Sequence, residues 1–206
     1  MLNLTPLIRA ERGAAYVEFA LAFPLLLTIV SAGIEVTNLA VVHVKLNHIA
    51  ETAADNAARV RTQIDEGDIA EIFNGVGMVE NSINFSTKGR VVLSSVQDNG
   101  LTGTNHGQWI RWQRCYGSYS VAPSYGTQGA GQTDGALANG VGVAGRRIAA
   151  APGTAVLFAE VSYQYDPMIF KGFVASRVLR YESAFNVRER TNFGITNVKA
   201  LPVKSC

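Results

Sequence analysis

The sequence predicts an α+β chain: a long N-terminal transmembrane helix that continues as an amphipathic stem and packs against a small antiparallel β-sheet with a glycine-rich loop. Three observations predict it. Phe19 to Ile34 carries no charge. Apolar residues then recur at steps of three and four from Leu39 to Ile64, the spacing of one helical face. Two later segments, 154–165 and 179–187, alternate as half-buried strands do.

The apolar run comes first. Phe19 to Ile34 covers about 24 Å of helix at about 1.5 Å per residue, slightly short of a hydrocarbon core of about 30 Å. Ala14 to Val17 on one side and Val36 to Val44 on the other bring it to spanning length, and they add Glu18 and Glu35. Arg9 and Arg12 precede the run and no comparable basic cluster follows it closely, so the head end stays cytoplasmic and the C-terminal side crosses the membrane. A cleaved secretory signal would end in a breaker and a small-x-small site; here the helical pattern continues past Glu35. Pro24 lies inside the run and is expected to kink the helix.

The stem follows. Leu39, Val42, Leu46, Ile49, Ala53, Ala57, Val60 and Ile64 form its apolar face; Lys45, Asn47, Glu51, Asp55, Asn56, Arg59 and Arg61 form its wet face. The helix is expected to reach Ile64. Asp68 with Glu71 reads as an N-cap and its return partner, opening a second helix that ends near Asn74-Gly75. Ile83 and Phe85 then alternate with polar neighbours as a strand, Lys88-Gly89 reads as a turn, and Val91 to Val96 continues the β pattern. Asp98-Asn99-Gly100 is a strong turn signal. Gln108 to Tyr116 alternates, with Ile110, Trp112 and Tyr116 on one side and Arg111, Gln113 and Cys115 on the other. Gly117 to Gly145 is a long glycine-rich loop, either a contact loop or slack. Residues 154–165 end at Asp166-Pro167, Met168 to Ser176 is a short apolar connection, and the strand from Leu179 to Val187 is the antiparallel partner of 154–165.

Composition narrows the function classes. At 206 residues the chain holds one domain, or one domain and an appended segment. Net charge is +2 and no basic stripe interleaves with aromatics, so nucleic acid is not an expected partner. Cys115 and Cys206 form no C-x-x-C pair, which argues against a cysteine-based zinc site. In a chain that leaves the cytoplasm they point to one disulfide, two free thiols being the alternative.

No catalytic constellation emerges. His43 and His48 are not at the spacing that puts two ligands on one helical face, and His106 stands in a loop. No nucleophile elbow, zinc-protease or P-loop pattern occurs. Gly140 to Gly145 imitates a dinucleotide fingerprint but follows a loop instead of a strand. Asn84-Phe85-Ser86 is a chance match to a glycosylation acceptor. No catalytic residue, metal or cofactor is expected. The informative chemistry is at the membrane end. Glu18 enters lipid, where a carboxylate needs a partner. It either pairs with a free α-amino group, made on a neighbouring subunit by cleavage after Gly13, or snorkels to the cytoplasmic headgroups.

The stretch Arg12-Gly13-Ala14-Ala15-Tyr16-Val17-Glu18-Phe19-Ala20-Leu21-Ala22-Phe23-Pro24-Leu25-Leu26-Leu27, followed by Gly33-Ile34-Glu35, resembles the N-terminus of TadE-like proteins, the minor pilins or pseudopilins of the tight-adherence (Flp, type IV) pilus. The resemblance implies cleavage by a membrane prepilin peptidase between Gly13 and Ala14, with Glu18-Phe19 marking the site and Pro24 matching the family's proline. It implies a cytoplasmic leader (1–13), a transmembrane and stem helix (14–66) and an exported pilin-like head (67–206). The implied location is the inner membrane, single-pass, with the C-terminal domain periplasmic and incorporation in an extracellular pilus open. The implied partners are other pilin and pseudopilin subunits through the N-terminal helix, the prepilin peptidase, the inner-membrane assembly platform and membrane lipid. The alternative is a signal-anchored periplasmic binding domain or enzyme on an uncleaved tether.

Overall fold

A computed structural model describes residues 10–80, 82–169, 172 and 174–206. Met1 to Arg9 of the expected leader, and Phe170, Lys171 and Phe173 of the expected apolar connection, lie outside the described residues. The described residues up to Val41, together with Asp166–Ser176, form one compact unit; Val42–Tyr165 and Arg177–Cys206 form another.

Helix α1 runs Ala10–Arg59 and passes through Pro24. From Gly13 to Arg59 it is long and apolar enough to cross a membrane. The hydroxyls of Thr28 and Thr37 donate back to the carbonyls of Leu25 and Gly33, so neither leaves a bare polar group on the apolar surface. The expected stem face is the buried one: Val42, Leu46, Ile49, Ala53 and Ala57 are all buried. The helix stops at Arg59, short of the expected Ile64. The Arg190 guanidinium, itself buried, donates to the carbonyls of Ala57 and Val60, capping the end with a cation where the helix dipole favours one. Ile64 instead belongs to a short strand, β1 (Ile64–Asp65), paired in parallel with β6 (Ile195–Thr196) of the tail.

Helix α2 spans Glu66–Glu80, earlier in onset and longer than expected. The cap is Asp65, whose Oδ1 accepts from the Gly67 amide while Asp68 Oδ2 accepts from the Asp65 amide. This is a capping box one turn before the expected Asp68–Glu71 pair. Asn74 and Gly75 lie within the helix, not at its end. The expected strand at Ile83 and Phe85 is also corrected: Phe85–Lys88 is a single helical turn, α3, entered through Asn84 in a left-handed conformation (φ 50°). Gly89 is the first residue of β2 (Gly89–Asp98) instead of a turn residue. A Cβ there would sit 2.4 Å from the Phe85 ring, so this position must be glycine for α3 to fold back on the strand.

The main sheet is antiparallel with order β3-β2-β4-β5, where β3 is Gln108–Tyr116, β4 Ala155–Tyr165 and β5 Arg177–Asn186. The β4–β5 pairing is the expected one. The turn after β2 is held by Asn99, whose side chain accepts from the Leu101 and Gly107 amides and donates to the carbonyls of Asn105, Gly131 and Asp134. In β3 the expected alternation breaks. Val96 pairs with Ile110 but Ser95 pairs with Trp112, so Arg111 is an extra residue in a β-bulge. Ile110 and Trp112 therefore point to opposite faces. Trp112, Arg114 and Tyr116 face the helices: the Trp112 indole donates to the Phe193 carbonyl and Tyr116 stacks on Phe73 of α2. Ile110, Gln113 and Cys115 face the other way.

That other face is covered by the glycine-rich segment, which is a structural layer instead of slack. Val96, Val141 and Phe158 form a buried cluster there, joined by Tyr125, Leu137, Ile148 and Ala184. Its backbone is tied to the sheet: Gln108 and Ile110 donate to the carbonyls of Leu137 and Ala130. At Gly131 (φ +78°) a Cβ would lie 2.1 Å from the Gln108 carbonyl oxygen. Glycine lets the segment lie flat on β3. Covered on both sides, β2 and β4 are buried along nearly their whole length. The tail closes on the free edge of β3: Cys115 is disulfide-bonded to Cys206, and the Cys115 amide donates to the Lys204 carbonyl.

Candidate functional site

Gly13 to Val30 is a continuous exposed helical surface. Tyr16, Phe19, Leu21, Leu25 and Ile29 stand out from it, and Phe19 stacks on Phe23 with ring centroids 5.4 Å apart. An apolar surface of this length is foreign to water and belongs in lipid or against other helices. Gly13 has nothing within 4 Å of where a Cβ would be. It lies inside a helix, where glycine costs about 0.5–1 kcal/mol relative to alanine, so neither packing nor turn geometry accounts for it. Ala14, Glu18 and Phe19 are exposed on the first turns after it.

The second carboxylate of the helix behaves differently. Glu35 is wholly buried. Its carboxylate accepts from the Met168 amide (3.2 Å to Oε1, 3.0 Å to Oε2) and from the Ile169 amide (3.0 Å). The segment after Asp166-Pro167 has left the sheet, so its amides have no ladder partner, and Glu35 supplies the acceptor. In the sequence Glu35 is visible only as a second acid just after the uncharged run. The available signal was an acid inside an apolar run with no cation a helical turn away.

Elsewhere the polar clusters are structural. Arg114 and Glu66 form a buried pair, with Arg114 Nε 2.8 and 3.1 Å from the two carboxylate oxygens, joining β3 to the start of α2. The opposite side of the sheet carries a cleft of about 660 Å³ beside Tyr125, Glu160, Arg180 and Glu182. Glu160 and Glu182 are directly paired across β4 and β5. Burial, with the Glu182 charge beside it, pushes the Glu160 carboxyl above its ordinary range, against the opposing effect of the Ser124 amide and Arg180. Burial and the Glu182 carboxylate likewise push the Tyr125 phenol up. Both acids spend their acceptors on the covering loop: Glu160 on the Ser124 amide, Glu182 on the Tyr125 hydroxyl and the Val143 amide. They fasten that layer to the sheet. The histidines are likewise accounted for. His43 Nδ1 shares a 2.6 Å hydrogen bond with the Tyr181 hydroxyl, while His48 and His106 sit beside Glu51 and Asp98. Among the described residues no group of three or more His, Cys, Asp or Glu side chains could hold a metal ion.

No curated protein and no solved structure matches the chain. Residues 13–59, from the exposed glycine to the last residue of α1, match the model of the TadE-like protein family, so it is through its N-terminal helix that this chain is similar to TadE-like proteins.

Proposed function

We propose that the chain is an accessory pilin or pseudopilin of a tight-adherence type IV pilus, stored in the inner membrane through α1 and cut between Gly13 and Ala14 by a prepilin peptidase. Residues 1–13 are then the leader, 14–66 the transmembrane and stem helix, and 67–206 the exported head. The observation that carries this reading is the TadE-like match, which begins at Gly13 itself. The open space around Gly13 agrees with it: a residue that packing does not require is free to be one that a peptidase does. After cleavage, the exposed Glu18 carboxylate pairs with the new α-amino group of a neighbouring subunit, which removes the cost of a lone charge in an apolar packing. Other pilin helices, the peptidase and the assembly platform are the partners of this segment, and the protein is a substrate instead of an enzyme.

Intact mass or N-terminal sequencing of the protein from membranes that contain an active prepilin peptidase tests this directly. A mature chain starting at Ala14 is expected; an intact Met1 overturns the reading in favour of a plain tether. Gly13→Val should abolish processing while leaving the head folded, because the position touches nothing. Glu18→Gln should leave insertion and cleavage intact but lower the amount of assembled pilus. Normal piliation would show that Glu18 only snorkels.

A further inference from the structure

The pairing of Glu35 with the segment after β4 has a consequence for where that segment lives. At about 1.5 Å per residue, a hydrocarbon core of about 30 Å takes up about 20 residues of helix. A core that begins at Gly13 ends near Ala32; one that begins at Phe19 ends near Asn38. Glu35 falls at the outer boundary of the hydrocarbon core, within about three residues of its end in either case. A glutamate in water gains little from being wholly covered, whereas one at membrane depth must be satisfied by protein. The same holds for irregular backbone, which survives in lipid only where its amides find partners. Glu35 and the amides of Met168 and Ile169 meet both requirements at once.

The side chains carried by those amides point to lipid as well. Met168 is 72% exposed and Ile169 48% exposed. They stand next to a mostly apolar groove of about 490 Å³ formed by Val30, Gly33, Ile34, Thr37 and Asn38 with Met168 itself. With Glu35 covered, no charged side chain is exposed on α1 between Phe19 and Val44. Lipid acyl chains fit this surface: it is continuous with the exposed span of α1 and has the same composition.

We propose that residues 167–169 are a second membrane contact, a short apolar finger clamped to α1 by Glu35 and inserted at the headgroup–acyl boundary of the outer leaflet. The inference rests on the reading of α1 as a membrane span. The test uses the full chain in vesicles of phosphatidylethanolamine and phosphatidylglycerol. Single cysteines at Met168→Cys, Ile169→Cys, Leu26→Cys and Thr102→Cys carry an environment-sensitive fluorophore; the native cysteines are disulfide-bonded and do not react. Brominated acyl chains should quench the labels at 26, 168 and 169, and aqueous iodide only the label at 102. Quenching at 26 with iodide-accessible labels at 168 and 169 overturns the finger and leaves the span standing. No lipid quenching at 26 overturns the span and the finger together. Labels at 168 and 169 shielded from both quenchers would mean that a protein surface covers them, such as a second copy of α1, and would overturn lipid as the occupant. Glu35→Ala should move the label at 168 towards water without changing that at 26; unchanged lipid quenching there would overturn the clamp.

Discussion

The span of α1 and the sheet handle charge in opposite ways. Between Gly13 and Val41 there are two acids and no base: one stands exposed at Glu18 and the other is covered at Glu35, which accepts from the backbone amides of Met168 and Ile169. In the sheet and its cover, a buried acid has a guanidinium or a second acid beside it. Glu66 is held by Arg114, and Glu160 faces Glu182 with Arg180 nearby. A sheet covered on both faces can carry the partner on a neighbouring strand or helix. The difference teaches that Glu18 stands apart from Glu35, Glu66, Glu160 and Glu182: it is exposed, and among the described residues no side chain or amide is recorded against its carboxylate.

The sheet side of this comparison breaks hardest at its buried ion pair. Arg114→Ala leaves Glu66 buried without its counter-ion and should destabilise the head by about 3–5 kcal/mol. Chemical denaturation in detergent, followed by tryptophan fluorescence, checks it, since Trp112 lies on the same strand. Replacing both partners with apolar residues, Arg114→Met with Glu66→Leu, should recover most of the loss. A double variant as unstable as Arg114→Ala would mean that the pair itself, not the avoidance of a lone charge, holds α2 to β3. The disulfide comes next. It closes a separation of 91 residues, so Cys206→Ser should cost about 2–4 kcal/mol through the unfolded chain. It should also free Cys115 for thiol labelling. Neither change should alter processing at Gly13, which would separate the helix from the head experimentally.

What could be read from the sequence follows the same division. Where one face is wet and the period is clean, as in the stem from Val42 to Ala57 or in Gln108–Tyr116, the elements stand where they are expected. The β4–β5 hairpin was legible because alternation and the Asp166-Pro167 break agree. Failures came where a single residue or a distant partner decides. The bulge at Arg111 inserts one residue without changing composition, so Ile110 changes face unseen. The helix end at Arg59 depends on Arg190, and β1 depends on Ile195, both far along the chain. Gly117 to Gly145 looks like slack because its glycines are needed for close approach to the sheet, and the composition of a flat layer is the composition of a linker. The role of Glu35 is hidden for the same reason: it accepts from the main-chain amides of Met168 and Ile169, which leave no mark in sequence.

The smallest effect sharpens the comparison most finely, because it asks whether the paired acids of the sheet are a strain or a support. Glu160 is raised above its ordinary 4.5 chiefly by burial, so it favours the folded state most when protonated. Its contribution is complete below pH 4.5, where it is neutral in both folded and unfolded chains, and is lost as pH rises through its folded value. Asp65 has the opposite sign. The Gly67 and Val198 amides hold it below 3.8, so its contribution is present above that pH and lost as pH falls through the lower folded value. Glu160→Gln removes the first effect without touching the second, and the amide oxygen still accepts from Ser124. It should raise Tm at neutral pH by up to about 2–4 °C, the shift that roughly 1 kcal/mol produces in a chain of this size. The advantage should vanish below pH 4.5. A variant that is less stable at neutral pH would mean that the ionised carboxylate, drawing on the Ser124 amide and Arg180, holds the covering layer in place. The sheet would then resemble Glu35 on α1, where a charge is kept because main-chain donors have been built around it.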